Sequence, residues 1–88
     1  MSITVLVAFK IEDHERFETS FAHRASARVA AGIEAKSYRD MDDANRIVVI
    51  GTSPSKESFL GFMTSAEQQQ AMKNAGIQGP PDVTFLEG

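Results

Sequence analysis

The sequence predicts an α+β domain whose elements follow the order β-α-β-β-α-β. Short β-branched runs without a helical period alternate with segments whose apolar residues recur every three or four positions. With 42% hydrophobic and 24% charged residues, the composition is that of a globular chain, not of a disordered chain or a coiled coil. Since the 88 residues contain no repeat, linker or low-complexity stretch, we expect one domain over residues 1–88.

The first strand and the first helix are predicted in the opening third of the chain. Residues 3–9 form an apolar, β-branched run that is too short for a helix. Asp13 then offers an N-cap oxygen, and Gly32 offers a left-handed exit at the far end. Between them, apolar residues follow at a spacing of four: Phe17, Phe21, Ala25 and Val29. We therefore predict one continuous helix between Asp13 and Gly32.

The middle of the chain predicts a hairpin of two strands. Residues 33–41 alternate loosely between polar and apolar side chains, and residues 46–51 form a second β-branched run. The residues between them, 42–45, have the composition of a turn, with two aspartates and one asparagine. We therefore predict that strands two and three pair directly.

A second helix is predicted after the hairpin, and its sequence favours a break. Ser53 before Pro54 has the pattern of an N-cap and a first helical residue. Ser65 starts a new turn, with Gln68 at the capping-box position and Gly76 at the end. We therefore predict a helix in two parts. Its first part carries the apolar residues Phe59, Leu60, Phe62 and Met63.

The end of the chain completes the predicted sheet. Residues 79–81, Gly-Pro-Pro, exclude a helix and lead in extended conformation to a last strand over residues 83–86. Right-handed crossovers then place both helices on one face of a four-stranded antiparallel sheet. This arrangement is a ferredoxin-like sandwich.

Both faces of this predicted sheet are apolar. In the first strand, Val5 and Val7 point to one side while Leu6 and Ala8 point to the other, and residues 47–50 repeat the pattern. Monomers rarely expose such a surface, because its burial is worth about 25 cal/mol per Å². We therefore expect a homodimer through the sheet faces. The alternative is that a loop covers the second face.

Charge and composition exclude several classes of function. The net charge is −3 with acidic and basic residues interspersed, so nucleic acid is not an expected partner. No apolar run approaches the roughly 20 residues that cross a bilayer, and no basic leader precedes the first strand, so we expect a cytoplasmic protein. The chain has no cysteine, which removes disulfides, thiol nucleophiles and cysteine metal ligands.

Several motifs together resemble a known group of proteins. They are Phe17-x-x-x-Phe21 with His23, then Gly32, the run Tyr-Arg-Asp-Met-Asp-Asp-Ala-Asn at residues 38–45 before Val48-Val49, the run Ser-Lys-Glu-Ser-Phe-Leu-Gly-Phe-Met-Thr-Ser-Ala-Glu at residues 55–67, Ala71-Met72, Ala75-Gly76 and Gly79-Pro-Pro. On these residues the chain resembles the dimeric α/β-barrel superfamily, and within it the small antibiotic-biosynthesis-monooxygenase-like proteins and their uncharacterised relatives.

The resemblance implies a homodimer whose two sheets close into a barrel, with a pocket between sheet and helices in each subunit. Some relatives use that pocket for cofactor-independent oxygenation of aromatic polyketides, others for haem degradation or cyclisation. Monooxygenase members carry an Asn-Trp pair in the pocket, whereas this chain has no tryptophan.

Two histidines and one tyrosine are the candidate catalytic residues. Histidine is the side-chain type best suited to act as a base near neutral pH, so His14 and His23 are each a candidate base. The resemblance favours His23, whereas a helical wheel places His14 on the apolar side with Phe17 and leaves His23 nearly opposite. Tyr38 is a candidate hydrogen-bond donor to a substrate oxygen. For each of the three, a purely structural role is the alternative.

A ligand pocket is expected above the sheet, lined by Phe17, Phe21, Phe59, Phe62 and Met63. Arg24 and Arg28 flank the apolar stripe of the first helix, where they either pair with a substrate carboxylate or lie in solvent. No metal site is expected, because residues 40–45 fit a turn better than a calcium loop and the histidine spacing fits neither zinc nor haem.

These observations favour a homodimeric small-molecule pocket protein with monooxygenase- or cyclase-like chemistry and no metal or organic cofactor. The alternative is a non-catalytic ligand-binding or regulatory dimerisation module. A cavity of roughly 300 Å³ or more that contains a histidine or tyrosine favours the enzyme, and a collapsed interior favours the module.

Overall fold

The computed structural model describes residues 2–87, which form four strands and four helical segments. Their bounds in chain order are β1 (Ile3–Ile11), α1 (His14–His23), α2 (Ala25–Ala30), β2 (Glu34–Arg39), β3 (Arg46–Ser53), α3 (Lys56–Met63), α4 (Ala66–Asn74) and β4 (Ile77–Leu86). The strands make one antiparallel sheet in the order β2-β3-β1-β4. The predicted α+β sandwich is confirmed, with each predicted helix divided in two.

The first helical region bends at Arg24, so the prediction of one continuous helix was wrong. Asp13 caps α1 as predicted, because its carboxylate accepts from the backbone N–H groups of Glu15 and Arg16. At Arg24 the backbone N–H is shared between the Ser20 and Phe21 carbonyls, at 3.3 and 3.2 Å. This shared bond tightens the turn and ends α1 without a glycine or proline. The region then ends at Gly32, whose φ of 75° gives the predicted left-handed exit.

The second helical region starts two residues later than predicted, at Ser55 instead of Ser53. Ser53 is instead the buried last residue of β3. It precedes Pro54, and the residue before a proline favours an extended backbone, as in a strand. The Ser55 hydroxyl accepts from the Ser58 N–H at 3.0 Å and thereby caps α3. The predicted break is confirmed, because Ser65 caps α4 through the Gln68 N–H at 3.3 Å.

The last strand is longer than predicted, since it begins at Ile77 and not at Val83. β4 is an edge strand, so it has a neighbouring strand on one side only. Pro80 and Pro81 can therefore lie in it without removing a hydrogen bond to a second neighbouring strand. Gly79 has a φ of 72°, and the register with β1 shifts between Ala8 and Lys10. The Gly-Pro-Pro segment is therefore an irregular part of β4 and not only an approach to it.

The core lies between the sheet and the helices. Buried side chains from the sheet, such as Val5, Val7 and Ile47, pack with Phe17 of α1 and Phe59 of α3. None of the helices within residues 2–87 has the length and apolar character needed to span a bilayer.

The opposite side of the sheet carries no helix in the described chain, and we call it the open face. The pairing register places Leu6, Val48 and Ile50 on this face, side by side in the central strands β1 and β3. Tyr38 and Leu86 extend the apolar surface to the two edge strands. Ile50, Leu86 and Tyr38 are exposed. The predicted two-sided apolar sheet is confirmed.

Candidate functional site

An apolar cavity of about 80 Å³ lies between the sheet and the helices. All five side chains predicted to form a ligand pocket line it: Phe17, Phe21, Phe59, Phe62 and Met63. The floor comes from the sheet, through Val7 and Val49, and Met72 of α4 contributes to the wall. The volume is below the roughly 300–1,000 Å³ of typical small-molecule sites, so the space suits a small ligand.

Aromatic contacts hold the cavity walls in place. The Phe17 ring lies 5.3 Å from that of Phe9 and 5.5 Å from that of Phe21, measured between centroids. On the other side, Phe59 meets Phe85 of β4 edge to face at 5.9 Å. These distances lie in the favourable range for aromatic pairs, so α1 and α3 are each anchored to the sheet beside the cavity.

The polar groups that line the cavity are few and come from α1, α2 and α4. They are Ser20, Arg24, Arg28 and Gln68. The Ser20 hydroxyl donates to the Ala71 carbonyl at 3.1 Å, which ties α1 to α4. Arg24 Nε donates to Gln68 Oε1 at 2.9 Å. The cavity therefore has apolar walls and one polar side, which we call the arginine side after Arg24 and Arg28.

Both arginines lie over cavity-lining phenylalanine rings. The guanidinium carbon of Arg28 is 3.8 Å from the Phe21 ring centroid, and that of Arg24 is 5.5 Å from the Phe62 ring centroid. A cation over an aromatic face is attracted by the ring quadrupole. Burial, and then the positive charge of Arg24, lower the pKa of Arg28. The arginine side thus carries two neighbouring positive charges next to apolar walls.

The three candidate catalytic residues lie outside this cavity and apart from one another. His14 Nε2 is 3.5 Å from Glu18 Oε1, in the first turn of α1. His23 is exposed and lines a shallow groove between α1 and α4. Tyr38 lies on the open face, where Lys36 Nζ is 5.5 Å from its ring centroid. One subunit therefore does not bring His14, His23 and Tyr38 together, and their catalytic roles stay a prediction.

The acidic hairpin between β2 and β3 is a hydrogen-bonded turn, as the sequence predicted. The Asp40 carboxylate accepts from the backbone N–H groups of Asp42 and Asp43, at 2.8 and 3.2 Å, and pairs with Arg46. The bond from the Asp42 N–H, followed by that from Arg46, lowers the pKa of Asp40. A hydrogen bond from Lys10 lowers the pKa of Asp43. Within residues 2–87, histidine and acidic side chains form no group of three that could hold a metal ion.

The sequence analysis named Arg24 and Arg28 beside the apolar stripe but missed two polar residues of the cavity lining, Ser20 and Gln68. Ser20 lies four residues before Arg24, so its position on the same helical flank was a usable signal. Gln68 was assigned only a capping position, and its bond to Arg24 joins residues 44 apart in sequence. No local pattern could have predicted that contact.

Comparisons with known proteins show the fold. Neither protein-family models nor curated protein sequences gave a match. Among solved structures, a proposed antibiotic biosynthesis monooxygenase from Bordetella bronchiseptica is similar, with a TM-score of 0.83, 17% identity, and coverage of 99% of this chain and 96% of that one. SnoaB, a cofactor-independent oxygenase from Streptomyces nogalater, superposes with a TM-score of 0.77, 14% identity and coverage of 99% and 92%.

A third similar structure is Rv0793 from Mycobacterium tuberculosis, with a TM-score of 0.73, 14% identity and coverage of 100% of this chain and 95% of that one. At these identities the likeness is one of fold. The chain therefore has the fold of the antibiotic-biosynthesis-monooxygenase-like proteins over nearly its whole length.

Proposed function

We propose that the protein is a cytoplasmic homodimer that binds a small, mainly apolar molecule in the sheet–helix cavity of each subunit. The observation that carries this proposal is the cavity itself. Its walls are phenylalanine and methionine side chains, and its polar groups gather on one side. Apolar walls with a few convergent polar groups are the usual make-up of a ligand site.

The small volume of the cavity limits the size of the ligand. About 80 Å³ accommodates a compact molecule and not a polycyclic one without side-chain movement. Met63 and Met72 line the cavity, and methionine side chains repack readily because they are unbranched and flexible. We therefore expect small ligands to bind first and larger ones to bind only by displacing these methionines.

The open face supports the homodimer. It presents Leu6, Val48 and Ile50 to solvent in the isolated subunit. Charges of both signs border the face, with Lys36 on β2 and Asp82 on β4 at opposite edges of the sheet. A twofold axis along the strands would set β2 of one copy over β4 of the other, so a second copy complements this surface. The two sheets would then stack about 10 Å apart, with their apolar side chains buried between them.

A more specific proposal is that the protein is an enzyme with cofactor-independent chemistry of the monooxygenase or cyclase type. Its support is the likeness in fold to SnoaB. His14, His23 and Tyr38 are its proposed catalytic residues, although none of them lines the cavity of its own subunit. That same geometry favours the second candidate, a non-catalytic ligand-binding or regulatory module. Dioxygen uptake with hydroquinone, a single-ring phenol, that H14Q or H23Q abolishes would support the enzyme, and ligand binding without turnover would support the module.

Methyl NMR spectroscopy tests ligand binding in the cavity. Protein labelled at the methionine methyl groups is titrated with toluene, an uncharged apolar probe of small size. We expect the signals of Met63 and Met72 to shift in a saturable way. Met41 serves as the internal control, because it is 98% exposed in the hairpin turn. If Met41 shifts as much as the other two, or if none shifts, the proposed cavity function is wrong.

A further inference from the structure

We infer that the natural ligand of the cavity is a small amphipathic anion, an apolar body ending in a carboxylate that Arg24 and Arg28 hold on the arginine side. This inference rests on the proposed ligand-binding function and specifies its ligand class. It assigns a binding role to two residues that are neither histidine nor tyrosine.

The first support is position. Arg24 and Arg28 line the same cavity as Phe21 and Phe62, over whose rings their guanidinium groups lie. The backbone N–H of Arg28 donates to the Arg24 carbonyl at 3.1 Å, so the helical turn sets the two side chains on one flank. A ligand in the apolar space would therefore lie beside both arginine side chains.

The second support is the lack of compensating charge. Four ion pairs occur within residues 2–87, and their basic members are Lys10, His14, Arg16 and Arg46. Arg24 donates its side-chain hydrogen bond to the neutral amide of Gln68. In the same part of the chain, Arg28 makes no side-chain hydrogen bond within the protein, and it is half-buried.

Burial removes part of the water around the Arg28 guanidinium group, and no acidic side chain within residues 2–87 replaces it. The reduced pKa of Arg28 has the same origin, since burial and the nearby Arg24 charge both disfavour the protonated form. A carboxylate would offset both effects. The two carboxylate oxygens match the planar arrangement of the guanidinium N–H donors. Hydrogen bonds between these charged groups are roughly twice as strong as hydrogen bonds between neutral groups.

Glu67 is a possible internal competitor for this role. It lines the shallow groove between α1 and α4 together with Arg24. It forms no ion pair with Arg24 within 4.0 Å, and it does not line the cavity. The arginine side therefore keeps its positive charge in the described chain.

Calorimetric titration of the full chain with phenylacetate and with phenylacetamide tests the inference. The two probes have the same shape and differ in charge. We expect phenylacetate to bind about tenfold more tightly at low salt, because only the anion gains charge-assisted bonds, and we expect this preference to shrink as salt is added. R24Q and R28Q should each reduce the preference, and the double variant should abolish it, while phenylacetamide binds as before.

K73Q is the matched control, because Lys73 is exposed on α4, lies outside the cavity lining and carries the same charge. It should retain the full preference. Equal affinity of the unmodified protein for the two probes overturns the anion inference but leaves the pocket intact, and this comparison holds even if an arginine variant fails to fold. A preference that survives in the folded double variant overturns the assignment to Arg24 and Arg28. If neither probe binds nor shifts Met63 and Met72, the proposed function fails as well.

Discussion

At the scale of single residues, Gly51 lies in β3 directly against the backbone of β2. A Cβ atom on Gly51 would stand 2.2 Å from the Glu34 carbonyl oxygen and 2.9 Å from the Ala35 Cα. Both of those atoms belong to the backbone, so no side chain can turn aside to make room. Gly61 in α3 is the opposite case, since a Cβ there would meet nothing within 4 Å.

We therefore predict opposite signs for the same substitution at these two glycines. Gly51→Ala should destabilise the protein by about 1–3 kcal/mol, because the extra carbon forces β2 and β3 apart. Gly61→Ala should stabilise it by about 0.5–1 kcal/mol through the higher helix propensity of alanine. Urea unfolding of both variants measures the effects. Equal effects at the two positions would contradict the close approach of β2 and β3 at Gly51.

At the scale of elements, the break between α3 and α4 depends on one serine. Ser65 accepts a hydrogen bond from the Gln68 N–H and donates one to the Phe62 carbonyl at 2.8 Å. It therefore satisfies a donor at the start of α4 and an acceptor at the end of α3. Since Phe62 and Met63 end α3 at the cavity wall, this break also shapes the cavity.

Ser65→Ala should lower the free energy of unfolding by about 1 kcal/mol, because the first turn of α4 loses its cap. Ser26→Ala is the control, since Ser26 is exposed within α2 and should tolerate alanine without loss. Denaturant unfolding compares the two variants. An equal loss of stability in both, or none in either, would show that Ser65 does not act as a cap.

The helices also show which features of the fold could be predicted from the sequence alone. The break at Ser65 was predicted because a cap has a local signature in residue type and spacing. The bend at Arg24 was not, because nothing in the residue types around Arg24 departs from a good helix. The five apolar cavity residues were predicted from helical periodicity, whereas the Arg24–Gln68 contact depends on how α1 and α4 pack together. Helix caps and apolar periodicity could thus be predicted from the local sequence, whereas a contact between residues distant in sequence could not.

At the scale of the whole molecule, the sheet is apolar on both sides. A domain of this size removes only about 60–65% of its unfolded surface from water, so its own core is limited. The helices cover one face, and the open face leaves Ile50 42% exposed and Leu86 41% exposed. Pairing of two open faces would add a second apolar layer to the core of each subunit.

Ile50→Lys should therefore prevent association, because a lysine at the centre of the open face would bury an unpaired charge in the dimer. Leu60→Lys is a closely matched control, since Leu60 is also 42% exposed but lies on α3, on the helical side of the sheet. Size-exclusion chromatography should show a smaller particle for I50K alone. A shift in both variants, or in L60K alone, would place the interface elsewhere.

Sedimentation equilibrium of the unmodified chain at micromolar concentration tests the central claim, that the open face is covered by a second copy. The account predicts a particle of twice the 9.6 kDa of one chain. A folded particle of 9.6 kDa would contradict it.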